Sequence, residues 1–543
     1  MKENNRKFIK FLTQNRIIFI ISVIVILLGY GYFLTNVSIS TDDTAFDTYF
    51  DHGYSLRMGR VVMSFIQAVF DIVEFTPFWI ELLAVLFLQF AAWRMVFVLY
   101  EKSSGRLSQI FIAAFVCIFI SFPLINEIFI YSSMSVSVGM GYFLSVYAFE
   151  YLYLYQYKKE KRYVVFSIFF LICAVSLYES FIPAFFCLTM ISIFSEMLYK
   201  KMSVAEVVKK SCPAIAVGAV AVIVNSILGQ LCIKIGNLEA LNVSANKDIV
   251  WTESGLTQSV KSVLRTLFYD QFIAGAEYLP ILFFVIASLL LFLITIYKMI
   301  RQRSFSPVIC LAGIYISAEL IVFLQGQTYY RSCQAFAIIV AFAGAVCVEK
   351  LYQIKLKKIA IGVIIIIVLI QTQDLSRWFY FENQRSEADV EVISNLIIDM
   401  KKDGLEGKRL AFVYDLDVLE QFSYYNNYTS ISSNSYIRKA ANYLAQKFEY
   451  TSTPEFIYEL NRKHNQTNCL ISFLQYGVFA FDNGIMGPNY ELKKYMEPYF
   501  FNFEQVTWDE WHEAQELVED IDSYPSDNYW KDMGEYIIVY IGI

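Results

Sequence analysis

The chain has 543 residues, of which 57% are hydrophobic, 17% aromatic and only 17% charged; this is the composition of a polytopic membrane protein and not of a soluble globular one. The formal net charge of -6 hides a division, because residues 1–373 hold 30 Lys and Arg against 22 Asp and Glu, whereas residues 374–543 hold 14 against 28. An acidic tail excludes nucleic acid as a partner, since phosphate binding needs clustered cations, and two bodies are expected: a membrane domain at 1–373 and a water-facing domain at 374–543.

In chain order, Ile17–Leu34 is too long for a signal peptide and lacks a small-residue cleavage site, so it reads as a retained span. Ten further apolar runs follow, giving about eleven crossings of roughly 17 to 25 residues each, at 17–35, 77–99, 108–129, 135–155, 163–178, 180–198, 212–233, 279–298, 308–325, 332–348 and 359–373. The pair that meets around Tyr178–Pro183 reads either as two spans or as one broken element. Between the first and second spans, Val61–Phe70 is too short to cross and is predicted as an amphipathic surface helix. A second surface helix is predicted in the loop 234–278, where Val260, Val263, Leu264 and Leu267 recur at helical spacing.

The alternating loops 1–16, 101–107, 156–162, 199–210, 298–303 and 349–358 hold 22 of the membrane part's 30 basic residues, which places them in the cytoplasm. The N-terminus is then inside, and the loops 36–76 and 234–278 and the acidic tail lie outside. In the tail, residues 409–414, 469–474 and 536–541 read as buried strands and 388–400, 435–448 and 454–462 as helices, so a small α/β domain is expected. Cysteine and histidine offer little chemistry. Eight of nine cysteines lie in or beside apolar runs without a CxxC pair, and only His52, His464 and His512 are present, which argues against a disulfide framework or a zinc site.

Charged residues near the membrane need a reason. Arg94, Glu150 and Glu196 sit toward cytoplasmic ends, where side chains snorkel to water. Glu81, Glu127 and Glu319 lie toward outer ends, as cavity-lining groups, interface anchors or helix-to-helix hydrogen bonders. Three outer segments combine acids and cations: Asp42-Asp43 after the first span with Arg57 and Arg60, which are spaced i, i+3 on one helical face; Tyr178-Glu179-Ser180 between two spans; and the turn Gln325-Gly326-Gln327-Thr328-Tyr329-Tyr330-Arg331. For each there is a plainer reading: a solvated loop, a turn carboxylate bonding the next helix's first amides, and an Arg331 salt bridge to Glu319.

With these residues in order, the chain resembles the bacterial Gtr II type membrane glucosyltransferases. The carriers are Thr41-Asp42-Asp43, Met58-Gly59-Arg60, Ser176-Leu177-Tyr178-Glu179-Ser180-Phe181-Ile182, the turn with Arg331, and Tyr524-Pro525-Ser526-Asp527-Asn528. Family members commonly carry Gln at the position of Glu179 and an aromatic residue at that of Val61. The resemblance implies a GT-C-like helical bundle in the bacterial plasma membrane, taking a sugar from a polyprenyl-phosphate donor on the outer face and passing it to a surface glycan. It implies catalytic acids in the first outer loop, so Asp43 or else Asp42 is expected as base, with Glu179 orienting a substrate. Arg57, Arg60 and Arg331 are expected to hold the phosphate, with Tyr178 and Gln327 as further substrate contacts. No cofactor is expected, since two diverging carboxylates are a weak magnesium signature and a monophosphate donor has no pyrophosphate to bridge. The rival readings are a flippase or transporter of lipid-linked sugars, which predicts inverted repeats or broken helices, and a polysaccharide polymerase or ligase with its acceptor site in loop 234–278.

Overall fold

The computed structural model describes residues 2–38, 53–70, 77–129, 131–238, 251, 255–274, 279–326, 330–414, 488–489, 492–493, 496–518 and 521–541. Asp42, Asp43 and Gln327 fall outside these, as do the tail elements expected at 435–448, 454–462 and 469–474.

Long apolar runs fold as helices, because only a helix satisfies every backbone amide within its own segment in the absence of water. The chain opens with α1 (Lys2–Gln14) and α2 (Arg16–Thr35), followed by α3 (Gly53–Arg57), α4 (Val61–Phe70), α5 (Pro77–Lys102), α6 (Gln109–Ile120) and α7 (Asn126–Phe129). Next come α8 (Ser132–Lys158), α9 (Lys161–Val175), α10 (Phe181–Met197), α11 (Val204–Ile235) and α12 (Leu256–Leu264), the last passing into a π-helical stretch, Arg265–Ala274. The helical series ends with α13 (Leu279–Gln302), α14 (Ser306–Ala318), α15 (Leu320–Gln325), α16 (Ala335–Gln353) and α17 (Lys357–Lys402).

The stretches expected as spans are helical, though 108–129 and 308–325 are each divided between two helices, and α4 has the bounds expected of it. Among the described residues, seven helical segments are long and apolar enough to cross a membrane: Arg16–Thr35, Phe78–Lys102, Gln109–Phe129, Val204–Ile235, Leu279–Gln302, Ala335–Gln353 and Lys357–Gln384. α10 and α14 are apolar but shorter. The run around Tyr178–Pro183 is two helices, with α9 ending at Val175 and α10 starting at Phe181.

Two compact units are distinguished: most of the chain up to Trp378 forms the first, and Phe379–Ile543 with two short segments of the earlier chain, Asn36–Asp51 and Ile130–Ser132, forms the second. In the first unit α16 packs along α6, α10 on α14 and α9 on α11. α6 is buried from Phe111 to Ile120 on nearly every face, as a helix at the centre of a bundle must be. At Gly139 of α8 a Cβ would lie 2.2 Å from the carbonyl oxygen of Ala84 in α5, so the two backbones touch, a closeness that small residues permit.

Arg94 and Glu150 do not snorkel. Arg94 Nε donates to Glu150 Oε2 at 2.5 Å with both side chains under 5% exposed, while α1 supplies Asn5, whose Oδ1 accepts from Arg94 Nη2 at 2.9 Å, and Asn4, which donates to Glu150. The charges face each other across packed helices because neither end of the pair reaches water, and the polar edge of α1 satisfies their remaining valences. Glu81, Glu127 and Glu319 are likewise buried, which removes the interface-anchor reading. Glu319 occupies the break between α14 and α15.

In the second unit, β1 (Arg409–Tyr414), β2 (Glu504–Gln505), α18 (Trp508–Glu516), β3 (Trp530–Asp532) and β4 (Ile537–Ile541) follow the end of α17. The sheet order is β2-β1-β4-β3, with β1 parallel to both β2 and β4 and β3 antiparallel to β4. Strands buried on both faces read as continuous apolar runs. Leu410, Phe412, Ile537 and Val539 pack on one face against Ile393, Leu396 and Met400 of α17, while Ala411, Val413 and Ile538 pack on the other with Ala514 of α18. The expected helix 388–400 is therefore not a separate element. It is the end of a 46-residue helix.

Candidate functional site

The site is built on three turns. α3 closes in a Schellman motif: Gly59 N–H donates to Leu56 at 2.9 Å and Arg60 N–H to Ser55 at 2.8 Å, with Gly59 at φ +78°, the left-handed conformation this motif asks of its C′ residue. Gly59 rests on α11, where a Cβ at Gly229 would sit 3.0 Å from its Cα. Arg60 leaves this turn toward the second one, and Val62 N–H donates to Ser176 Oγ at 2.9 Å, tying the start of α4 to the end of α9.

The second turn, Leu177–Ser180, joins α9 to α10. Phe181 N–H donates to Tyr178 and Ile182 N–H to Glu179, and Pro183 sits in the first turn of α10, where its missing N–H costs nothing. This turn brings Glu179 Oε2 to 3.5 Å from Arg60 Nη2 and lays the Tyr178 ring under the guanidinium at 5.1 Å. The third turn, Tyr330–Ser332, is fixed from behind. Gln334 Nε2 donates to Arg331 O at 2.6 Å, and the Tyr142 hydroxyl lies 2.7 Å from both Gln334 O and Gln334 Oε1. Tyr178 OH and Ser332 Oγ are hydrogen-bonded at 3.3 Å, connecting the second and third turns.

The three turns enclose a cavity of about 350 Å³ that exposes Arg60, Tyr178, Glu179, Ser180, Arg331 and Ser332 on its polar side. Leu320, Ile321 and Leu324 of α15 make an apolar wall. Two donors at the cavity, Arg60 Nε and Ser180 Oγ, are buried without a hydrogen-bond partner among the described residues. A buried donor left unpaired costs free energy that a ligand acceptor would recover. Such an arrangement can hold an anion on guanidinium groups beside an apolar chain, with one carboxylate at its edge.

Four of the residues singled out from sequence, Arg60, Tyr178, Glu179 and Arg331, thus meet in one place. Arg57 does not line the cavity. Its expected i, i+3 register with Arg60 fails because α3 ends at Arg57 and the left-handed Gly59 lies between them. Glu319 forms no ion pair with Arg331 among the described residues, and its side chain is buried. Sequence reasoning missed Ser180 and Ser332 as cavity groups and missed the α15 wall altogether. The hydroxyls were adjacent to chosen residues, so proximity was the available signal, whereas α15 read as the outer end of a longer span. Outside the cavity, in the π-helical stretch, burial pushes the Asp270 carboxyl up to about 6 even though Arg265 Nε is 3.6 Å away. Among the described residues no group of three His, Cys, Asp or Glu side chains could hold a metal ion.

A family model described as glucosyl transferase GtrII matches residues 31–348. The matched segment includes Asp42, Asp43, Arg60, Tyr178, Glu179 and Arg331, while the tail with Tyr524–Asn528 lies beyond it. No curated protein and no solved structure matches the chain.

Proposed function

Because the chain belongs to the glucosyl transferase GtrII family, we propose that it is a membrane glucosyltransferase drawing on a polyprenyl-phosphate sugar and glycosylating a surface glycan at the outer face of the bacterial plasma membrane. The observation that carries this reading is the cavity itself, with Arg60, Arg331, Tyr178 and Glu179 opposite an apolar wall. A lipid-linked sugar phosphate needs those two surroundings together: guanidinium donors for the phosphate and hydrocarbon for the prenyl chain. Arg60, with Nε unpaired among the described residues and Nη2 facing Glu179, serves as phosphate ligand, and Arg331 as the second.

In this reaction an acceptor hydroxyl oxygen attacks the anomeric carbon, the bond from that carbon to the phosphate oxygen breaks, and the lipid phosphate leaves with the electron pair. Direct displacement inverts the anomeric centre. Asp43, or else Asp42, takes the hydroxyl proton, a contribution of about 100-fold to 10,000-fold, while the arginines stabilise the charge that builds on the departing phosphate. Glu179 orients a substrate at the cavity edge. A second reading, a transporter of lipid-linked sugars, is favoured by one feature, the break between α14 and α15 at Glu319, since discontinuous helices mark transporter sites.

Membranes supplied with radiolabelled polyprenyl-phosphate glucose test both. Transfer of label to glycan by the wild type, lost in Asp42→Asn or Asp43→Asn, is the expected result. Full transfer by both variants overturns the base assignment. Label that crosses the bilayer without joining a glycan replaces the transferase reading with the transporter.

A further inference from the structure

A second cavity, of about 860 Å³, occurs in the first unit at the other end of the same helices. α10 reaches from Ser180 at the first cavity to Glu196 at the second, about 24 Å at 1.5 Å per residue, and α11 likewise carries Gly229 near one and Lys210 at the other. Six lysines line it, Lys7, Lys102, Lys158, Lys159, Lys209 and Lys210, contributed by α1, the end of α5, the α8 to α9 junction and the start of α11.

Four glutamates also line it, yet they do not cancel the lysines. Glu3 is shared between Lys7 at 3.9 Å and Lys158 at 3.6 Å, Glu101 lies 4.0 Å from Lys7, and Glu196 pairs with Lys210. Glu206 is used in the capping box of α11, accepting from Ser203 N–H at 2.8 Å. Lys159 and Lys209 form no ion pair among the described residues and are exposed. Lys102 is already engaged: it donates to Ser192 Oγ at 2.8 Å, its ammonium lies 5.4 Å from the rings of both Phe149 and Tyr153, and Glu196 offsets its charge. The lining keeps an excess of positive charge, six lysines against four glutamates, and two exposed ammonium groups, those of Lys159 and Lys209, are suited to a phosphate-bearing anion.

We infer that this cavity binds the phosphate headgroup of an anionic membrane lipid, held by Lys159 and Lys209, at the membrane face opposite the first cavity. Each ammonium near an anionic headgroup contributes on the order of 1 kcal/mol, so the site is expected to select charge and not one particular lipid.

The full chain in nanodiscs of phosphatidylcholine alone, or of phosphatidylcholine mixed equally with phosphatidylglycerol, tests this by melting temperature and by native mass spectrometry of retained lipid. Phosphatidylglycerol is expected to raise Tm and to stay bound, and the double variant Lys159→Asn, Lys209→Gln to weaken its retention by about tenfold or more. Inorganic phosphate added to phosphatidylcholine discs is expected to leave Tm where it was; if it reproduces the rise, the lipid assignment is overturned in favour of a soluble phosphate. Equal retention of phosphatidylglycerol by the double variant and the wild type overturns the site.

Discussion

The carboxylate of Glu179 stands 3.5 Å from the guanidinium of Arg60, with Glu179 half exposed and Arg60 largely buried over the Tyr178 ring. A pair this open to water contributes at most about 1 kcal/mol to stability, so its purpose is sought in the charge it presents to a ligand. Glu179→Gln is expected to fold as the wild type does and to lower KM for the lipid-phosphate donor several-fold, because Arg60 loses a competing anion. Arg60→Ala is expected to lower kcat/KM by about 100-fold or more, the loss typical of one preorganised donor to a developing charge. Transfer kinetics over a range of donor concentrations check both, and an unchanged kcat/KM for Arg60→Ala would remove it from the site.

The turn that carries Arg60 is sensitive to single methyl groups. Gly59→Ala forces a side chain into a left-handed conformation, at a cost of about 1 to 2 kcal/mol. Gly229→Ala leaves its own helix unstrained but drives a Cβ to 3.0 Å from Gly59 Cα. Gly229→Ala is therefore expected to raise donor KM with little change in Tm, and the combination of unchanged KM with lowered Tm would contradict the packing account.

Breaking the pair between Arg94 and Glu150 is expected to be the most damaging change in the first unit. Removing one partner of a buried ion pair costs about 3 to 5 kcal/mol, because the other charge is left uncompensated. Arg94→Ala should reduce folded yield and Tm in detergent far more than Lys158→Ala, whose ion pair with Glu3 is partly exposed. Deleting α1, which removes Asn4 and Asn5, should produce part of the same loss. Equal Tm for Arg94→Ala and the wild type would count against the buried-charge argument.

The Asp270 carboxyl, raised by burial to about 6, gives a pH signature. In the unfolded chain an aspartate titrates near pH 3.9, so between about 4 and 6 the folded form holds a proton that the unfolded form has lost. Its contribution to stability is fully present below that interval and declines as pH rises through it. Tm measured across this interval should fall more steeply for the wild type than for Asp270→Asn, and identical slopes would refute the assignment.

β4 lies between β1 and β3 in the tail sheet. Removing residues 537–543 takes Ile537, Val539 and Ile541 from one apolar cluster and Ile538 from the other. The second unit is expected to become protease-sensitive while the helical first unit resists, as read by limited proteolysis and mass spectrometry. Survival of an intact tail fragment would mean that β4 is not required for the sheet.

What could be read from the sequence follows from the range of the forces involved. Helices in the membrane part were legible because each depends on a local apolar run, and β1 and β4 because strands buried on both faces leave unbroken apolar stretches. α17 was split in the reading because its composition turns polar after Gln371, although helical hydrogen bonding passes from apolar to polar residues without a break. The partnership of Arg94 with Glu150, 56 residues apart, and the parallel pairing of β1 with β4 depend on tertiary packing that no local pattern encodes. At the site, Arg60, Tyr178, Glu179 and Arg331 could be chosen as residues, but their convergence rests on three turns meeting. The separation of Arg57 from Arg60 turned on one dihedral angle at Gly59.

The contact between Gly59 and Gly229 carries a further consequence. Where side chains meet, rotamers absorb small errors, and the position of an attached group is an average over those adjustments. Where two backbones meet there is nothing to rotate, so the base of Arg60 is located with the stiffness of the helix beneath it. That arginine should keep its place through repacking of the surrounding side chains, and an evolving sequence could alter the apolar wall of the cavity without moving the guanidinium.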